Sequence, residues 1–234
     1  MIKLENVEIG YSGNPLLGSI NLNIDEKQFW GIIGPNGGGK STLLKTIIGL
    51  VPPLSGQVVY SMELRVGYVP QRDTFDSIFP ISVFELVVMG RYSLIKTGKK
   101  PGKEDIEYID GVLERVGISH LRDRTYRSLS LGEKQKALIC RALTGEPNVL
   151  VLDEPTASVD INGEAEIMDL VSRIRDENPI TILMASHYLN MITKFTDNLM
   201  LVDKDKKIFN SGLIEEVLLS SDIDRMFGIT LSKG

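Results

Sequence analysis

Residues 29–42 read FWGIIGPNGGGKST, and this stretch decides the fold. Its first five residues are apolar, as in a strand buried on both faces, and a glycine-rich loop follows them directly. From Lys40 to Leu50 the apolar residues recur at helical spacing, until Pro52 ends the pattern. A buried strand, a glycine-rich loop and a helix in immediate succession predict the opening of an α/β core.

The loop in this stretch matches the pattern G-x-x-x-x-G-K-[ST], which binds nucleotide phosphates. Its residues are Gly34, Pro35, Asn36, Gly37, Gly38, Gly39, Lys40, Ser41 and Thr42. Glycines let backbone N–H groups turn toward phosphate oxygens, and the helix N-terminus adds partial positive charge. Lys40 is predicted to reach the β- and γ-phosphates, and the Ser41 hydroxyl to bind Mg²⁺. A plain glycine-rich turn is the alternative, but the strand–loop–helix context favours a nucleotide site.

The composition is typical of a globular domain with a substantial core. Of the 234 residues, 42% are apolar and 24% are charged, which suits one large α/β domain. The formal net charge of −5 gives no overall attraction to nucleic acid, so no nucleic-acid partner is expected. No apolar run approaches the roughly 18 residues that span a bilayer, so any membrane role is expected to come through a partner. The single cysteine, Cys140, cannot form an intrachain disulfide, which fits a reducing compartment.

Two further apolar runs, residues 149–152 and 180–184, lead into polar residues. The first ends at Asp153 and Glu154, and the second ends near His187. Strands alternating with helices predict a mostly parallel sheet, whose ligands lie at the carboxyl ends of the strands. Asp153 is therefore a candidate Mg²⁺ ligand, and Glu154 a candidate to polarise an attacking water. Because many strands end in an acid, this interpretation depends on the phosphate loop upstream.

The middle of the chain has a different pattern. After Gln71, apolar residues recur at helical spacing in three segments, Val83–Met89, Asp105–Val116 and Glu133–Leu143, with no strong strand between them. This predicts a helical subdomain, residues 72–147, inserted in the α/β core of a single domain that spans residues 1–234. The opening strands, up to residue 24, and residues 57–60 predict an antiparallel β layer.

A family resemblance comes from Leu129-Ser130-Leu131-Gly132-Glu133, which resembles the LSGGQ signature of ATP-binding cassette (ABC) ATPases. Ser130 and Gly132 match the positions that contact the γ-phosphate bound by a second subunit. Leu131 and Glu133 depart from the usual glycine and glutamine. A helix N-cap at Ser130, with Glu133 at the third helical position, is a second interpretation, and both can hold. The resemblance extends from residue 2 to about residue 220 and implies a P-loop NTPase core with the β layer and helical subdomain described above.

Other residues match motifs of the same family in the expected order. Tyr11 matches the aromatic residue that stacks on adenine, and Gln71 matches the Q-loop glutamine. Asp160 lies in a segment that resembles the D-loop, and His187 matches the switch histidine. As isolated residues these would be ordinary surface or packing positions. The resemblance implies an ATPase that uses ATP and Mg²⁺ and forms an ATP-dependent homodimer. The implied catalytic group is Lys40, Gln71, Glu154 and His187, and the implied Mg²⁺ ligands are Ser41, Gln71 and Asp153.

Residues 79–92, FPISVFELVVMGRY, resemble a segment of bacterial zinc and manganese importers. Ferric-siderophore and cobalamin importers carry a looser version, and the residues do not distinguish zinc from manganese or iron. In ABC importers this region lines a groove for a coupling helix of the membrane subunit, which makes Phe79, Val83 and Arg91 candidate contacts. Plain core packing is the alternative. The resemblance implies a polytopic permease as direct partner and an extracytoplasmic binding protein as indirect partner. It also implies a cytoplasmic position on the inner face of the cell membrane.

Two other functions stay open at this point. The first is a non-transport ABC ATPase, for instance one serving iron–sulfur assembly or DNA repair. A repair member usually has a tandem cassette, a zinc module or a long coiled coil, and the sequence shows none, whereas an assembly factor remains an alternative. The second is a regulatory nucleotide-binding module without turnover, against which Glu154 and His187 argue.

Overall fold

The computed structural model describes residues 1–71, 80–95, 98–157 and 159–228. The chain forms two compact units. The terminal unit consists of Met1–Leu64 and Thr181–Gly234, and the central unit of Arg65–Ile180. The central unit includes strands as well as helices, so its limits are wider than those of the predicted helical subdomain, residues 72–147.

The described residues form strands and helices in alternation over much of the chain. The strands are β1 (Ile2–Tyr11), β2 (Asn14–Ile24), β3 (Phe29–Ile33), β4 (Ser55–Tyr60), β5 (Val66–Val69), β6 (Val149–Asp153), β7 (Thr181–Ser186), β8 (Asn198–Asp203) and β9 (Ile208–Leu213). The α-helices are α1 (Lys40–Ile47), α2 (Val83–Arg91), α3 (Lys103–Val116), α4 (Leu131–Leu143), α5 (Ile161–Glu177), α6 (Leu189–Ile192), α7 (Ile214–Leu218) and α8 (Ser221–Phe227). Two short 3₁₀ helices, Ser119–Leu121 and Tyr126–Ser128, precede α4.

The terminal unit contains an antiparallel layer in which β1 pairs with β2 and β4. Ile2 and Leu4 are buried at alternate positions, and so are Val7 and Ile9 after a register shift between residues 4 and 7. This alternation of buried and solvated positions is what one covered face of a sheet requires. The predicted antiparallel β layer is confirmed.

The terminal unit also contains the strands that carry the phosphate loop. β3 runs parallel to β7 and β8, and β9 pairs antiparallel with β8. Every residue of β3, β7 and β8 is buried, as in a sheet covered on both faces. Ile33 pairs with Ser186 on one side and Leu201 on the other. The residues that follow these strands therefore lie at the same sheet edge.

In the central unit, β5 runs parallel to β6, and α2, α3 and α4 pack together. All three helices cover their predicted segments: α2 extends beyond the predicted end, and α3 and α4 begin before the predicted start. The earlier starts of α3 and α4 were missed because the first turn of each helix carries few apolar residues. The N-cap residues are Gly102 for α3 and Ser130 for α4. Across the residues that the structure describes, no helix combines the length and apolar composition needed to cross a membrane.

Candidate nucleotide-binding site

The phosphate loop between β3 and α1 is folded tightly against the end of β8. Gly37 and Gly39 have φ values of 73° and 108°, which residues with side chains rarely adopt. A Cβ at Gly34 would lie 1.9 Å from the carbonyl oxygen of Val202. The glycines are therefore required by backbone conformation and by close approach.

Lys40 lies in the interior of this loop, with 3% of its surface exposed. Its Nζ donates to the carbonyl oxygens of Gly34, at 2.9 Å, and Pro35, at 3.0 Å. These acceptors hold a buried ammonium over the loop. Since phosphate oxygens are charged and accept stronger hydrogen bonds than carbonyls, the lysine is placed to bind an incoming phosphate.

The N-terminus of α1 differs from those of the other long helices. Within the described part of the chain, no side chain caps α1, and its first turn carries no acidic residue. By contrast, Ser82, Ser130 and Asp160 each accept a backbone hydrogen bond at the start of α2, α4 and α5. The positive end of the α1 dipole therefore has no acidic side chain in its first turn to neutralise it, which favours an anion there.

His187 and Tyr11 both belong to the terminal unit. His187 directly follows Ser186, the residue of β7 that pairs with the last residue of β3, so it emerges at the same edge as the phosphate loop. Its ring contacts that of Tyr188, with centroids 3.9 Å apart. Tyr11 ends β1 opposite Asn14, and 47% of its surface is exposed, which leaves room for a base to stack on it.

The central unit brings two other candidate residues into contact. Val69 pairs with Leu152, so the residues after β5 and β6 also share an edge. There the Gln71 side-chain amide donates from Nε2 to Glu154 Oε2 at 2.9 Å. Both carboxylates predicted at the end of β6 are buried, Asp153 at 2% and Glu154 at 8% exposure. The sequence placed Gln71 and Glu154 83 residues apart, and the structure joins them directly.

Tyr68 is a residue at this edge that sequence reasoning missed. Its hydroxyl donates to Asp153 Oδ2 at 3.3 Å, and no sequence pattern singles it out. Glu154 also has an unusual backbone, since its φ of 51° lies in the left-handed region. Strain of this kind in a residue with a side chain is concentrated at functional sites.

The signature segment forms a complete capping box at the start of α4. The Ser130 side chain accepts from the Glu133 N–H at 3.3 Å, and the Ser130 N–H donates to Glu133 Oε2 at 2.7 Å. The second of these hydrogen bonds lowers the pKa of the Glu133 carboxyl. The N-cap interpretation is confirmed. Leu131 is the first residue of the helix and largely exposed, so the substitution for glycine leaves the cap intact.

Residues of the signature helix share a small cleft with the Q-loop. The cleft lies within the central unit and is lined by residues that include Gln71, Leu131, Glu154 and Val159. A Cβ at Gly132 would contact only Val159 Cγ1, at 3.7 Å, so this glycine is not required by packing. Asp160 caps α5 by accepting from the Gly163 N–H at 3.0 Å. Its D-loop neighbour Ser158 lies outside the described residues.

A known protein family matches the part of the sequence that contains most of these residues. The family described as ABC transporter matches residues 17–157, which include the phosphate loop, the signature and both β6 carboxylates. The chain belongs to the ABC transporter family. It is an ATP-binding subunit that hydrolyses ATP, as its family membership and its relatives show.

Individual relatives agree with the family. The chain is 39% identical over 233 residues to a zinc import ATP-binding protein, ZnuC, of Pasteurella multocida, covering 100% of this chain and 84% of the relative. It is 37% identical to the manganese transport system ATP-binding protein MntB of Bacillus subtilis, covering 97% and 92%. Among solved structures, cbiO1 of Clostridium perfringens is 30% identical with a TM-score of 0.77, covering 98% and 95%.

Residues 80–92, the described part of the segment that resembles zinc and manganese importers, lie mainly in the hydrophobic core. Val83 is fully buried, and so are its helix neighbours Leu86 and Val87. Arg91 donates to Asp105 Oδ1 at 2.9 Å and also pairs with Glu146.

The expectation that Val83 contacts a partner is therefore wrong, because Val83 lies inside the subdomain. Arg91 holds α3 and the loop after α4 together, and its contact with a partner stays a prediction. Phe79 lies outside the described residues. The exposed apolar residues near the end of α2 are Met89, Tyr92 and Leu94.

Proposed function

We propose that this ATPase powers the import of a divalent transition metal, zinc or manganese, through an ABC transporter. The observation that carries the ATPase part is the hydrogen bond between Gln71 and Glu154 beside the buried Asp153. The relatives named for zinc import and manganese transport support the metal. The similarity of residues 79–92 to zinc and manganese importers supports the same assignment.

In the proposed reaction, the phosphate loop and Lys40 bind the ATP phosphates. Ser41, Gln71 and Asp153 offer hard oxygen donors, which fit Mg²⁺. When bound, Mg²⁺ would supply charge neutralisation at the phosphates. Glu154 orients and polarises the attacking water, and His187 contacts the γ-phosphate. The water attacks in line with the departing ADP oxygen.

The active species is proposed to be an ATP-dependent homodimer. Ser130 and Gly132 of one copy contact the γ-phosphate bound by the other, and Asp160 lies near the crossing of the two chains. Leu131 lies between Ser130 and Gly132 at the start of α4, and its largely exposed side chain is accessible to a second copy. Hydrolysis removes the shared phosphate contacts, and the copies separate.

The proposed direct partner is a polytopic permease, and an extracytoplasmic binding protein is the indirect one. The subunit is then cytoplasmic and peripheral, held at the inner face of the membrane by the permease. Met89 and Tyr92 are the candidate docking residues. Arg91 packs its guanidinium over Tyr108 at 4.5 Å, and Tyr108 lines a groove of about 390 Å³ together with Arg115 and Arg173. An apolar patch beside such a groove suits an amphipathic helix of the permease.

Transport in vesicles tests this function. The chain is reconstituted with the permease encoded beside its gene, and uptake of radioactive zinc and manganese is measured with ATP on the subunit's side. We expect ATP-dependent uptake that Lys40→Ala abolishes. Uptake of cobalamin or a ferric siderophore would redirect the proposal to those importers. An active ATPase whose gene has no permease neighbour, and which supports iron–sulfur assembly, would overturn transport.

A further inference from the structure

The backbone at the end of β8 forms part of the wall behind the phosphate loop. The Val202 carbonyl oxygen occupies the space where a Cβ of Gly34 would lie, and it would be 3.0 Å from a Cβ of Gly38. The Lys204 N–H donates to the Gly38 carbonyl oxygen at 3.0 Å. Any shift of residues 202–204 therefore moves the loop that is expected to surround the phosphates.

Asp203 shapes the turn that follows β8. Its side chain is 3% exposed, and Oδ1 accepts from the Asp205 N–H at 3.0 Å and the Lys206 N–H at 3.2 Å. Burying a carboxylate is costly unless hydrogen bonds compensate, so a buried acid placed behind an anion-binding loop calls for an explanation. The negative charge of Asp203 does not attract phosphate. Its contribution is therefore to fix the backbone of the turn through the hydrogen bonds that it accepts.

The far side of the same turn is anchored to the C-terminal helix. Lys206 Nζ donates to the carbonyl oxygens of Arg225, at 2.6 Å, and Met226, at 3.0 Å, in the last turn of α8. A lysine at this position satisfies helix-end carbonyls and complements the helix dipole. The turn is thus held by Asp203 from inside and by α8 from outside.

We propose that Asp203 is a positioning residue for nucleotide binding, acting through the β8–β9 turn on the phosphate loop. Asp203 fixes residues 204–206, and the Lys204 N–H and the Val202 carbonyl then set the positions of Gly38 and Gly34. The proposal rests on the binding of ATP by this loop. Lys206, which anchors the same turn to α8, is expected to strengthen ATP binding in the same way but to a smaller extent.

Nucleotide titration of the full chain tests the proposal. The dissociation constant of ATP is measured for the wild type, Asp203→Ala, Asp203→Asn and Asp205→Ala, at a temperature where circular dichroism shows each to be folded. We expect about a tenfold weaker ATP affinity for Asp203→Ala, which corresponds to the loss of about one hydrogen bond between the loop and the phosphates. The KM for ATP rises by a similar factor, with kcat at saturating ATP within about twofold of the wild type.

The other variants separate geometry from charge and from fold. Asp203→Asn keeps an Oδ1 acceptor and loses the charge, so it should bind ATP as the wild type does. Asp205→Ala removes an exposed acid from the same turn but keeps its backbone N–H, so it is the matched control. If Asp203→Ala does not fold, Lys206→Met takes its place, with an expected loss of ATP affinity of about threefold, because this anchor is further from the loop.

Unchanged ATP affinity in a folded Asp203→Ala or Lys206→Met variant would overturn the inference, even if its melting temperature falls. An Asp203→Asn variant as weak as Asp203→Ala would also overturn it, because charge would then outweigh turn geometry. A wild-type chain that does not bind ATP at all would instead contradict the proposed function.

Discussion

The hydrogen bond from Tyr68 to Asp153 leads to a prediction about Mg²⁺ dependence. Tyr68→Phe removes one hydroxyl and keeps the ring. Hydrogen bonds to a metal-ligating carboxylate are typically worth about 10–100-fold in metal affinity. The distance of 3.3 Å is long for an O–H···O hydrogen bond, so the lower end of that range applies. We expect the Mg²⁺ concentration that half-saturates ATP hydrolysis to rise about tenfold.

Two measurements make this prediction specific. ATP affinity in EDTA should be unchanged, because the phosphate loop does not include Tyr68, whereas the gain in affinity on adding Mg²⁺ should shrink. Tyr60→Phe is the matched control, since it also loses a hydroxyl hydrogen bond, here to the Ile47 carbonyl oxygen at 3.0 Å. It should lower stability by about 1 kcal/mol and leave the Mg²⁺ dependence alone. Equal Mg²⁺ curves for Tyr68→Phe and the wild type would refute the reasoning.

Three further predictions concern the proposed site and the docking surface. Lys40→Ala should nearly abolish ATP binding, because it removes the ammonium from the phosphate loop; unchanged ATP hydrolysis would contradict the nucleotide site. Glu154→Gln should keep ATP binding, slow hydrolysis by about 10²–10⁴-fold and accumulate an ATP-bound dimer by light scattering, and adding Ser130→Arg should return it to monomer. Tyr92→Asp should abolish permease-dependent transport while basal ATP hydrolysis persists, with Leu219→Asp as an exposed control; normal permease binding by Tyr92→Asp would argue against docking there.

The candidate site residues could be predicted from the sequence because their signals are local. The phosphate loop requires consecutive glycines and a lysine, and the carboxylates directly follow an apolar run. The capping box at Ser130 likewise depends on two residues three positions apart. Such patterns survive in the sequence because neighbouring residues alone produce the geometry.

The tertiary structure decided which side chains meet across long separations. The sequence by itself determined the strand–loop–helix unit, the antiparallel β layer and the buried strand that ends at Asp153 and Glu154. It could not show that Tyr68 holds Asp153, or that Asp203 supports the phosphate loop from 165 residues away, since these contacts depend on strand order and register. It also misassigned Val83, because an apolar residue on a helix looks the same whether it faces a partner or its own core. Only packing settles that choice, since burial is a property of the folded chain.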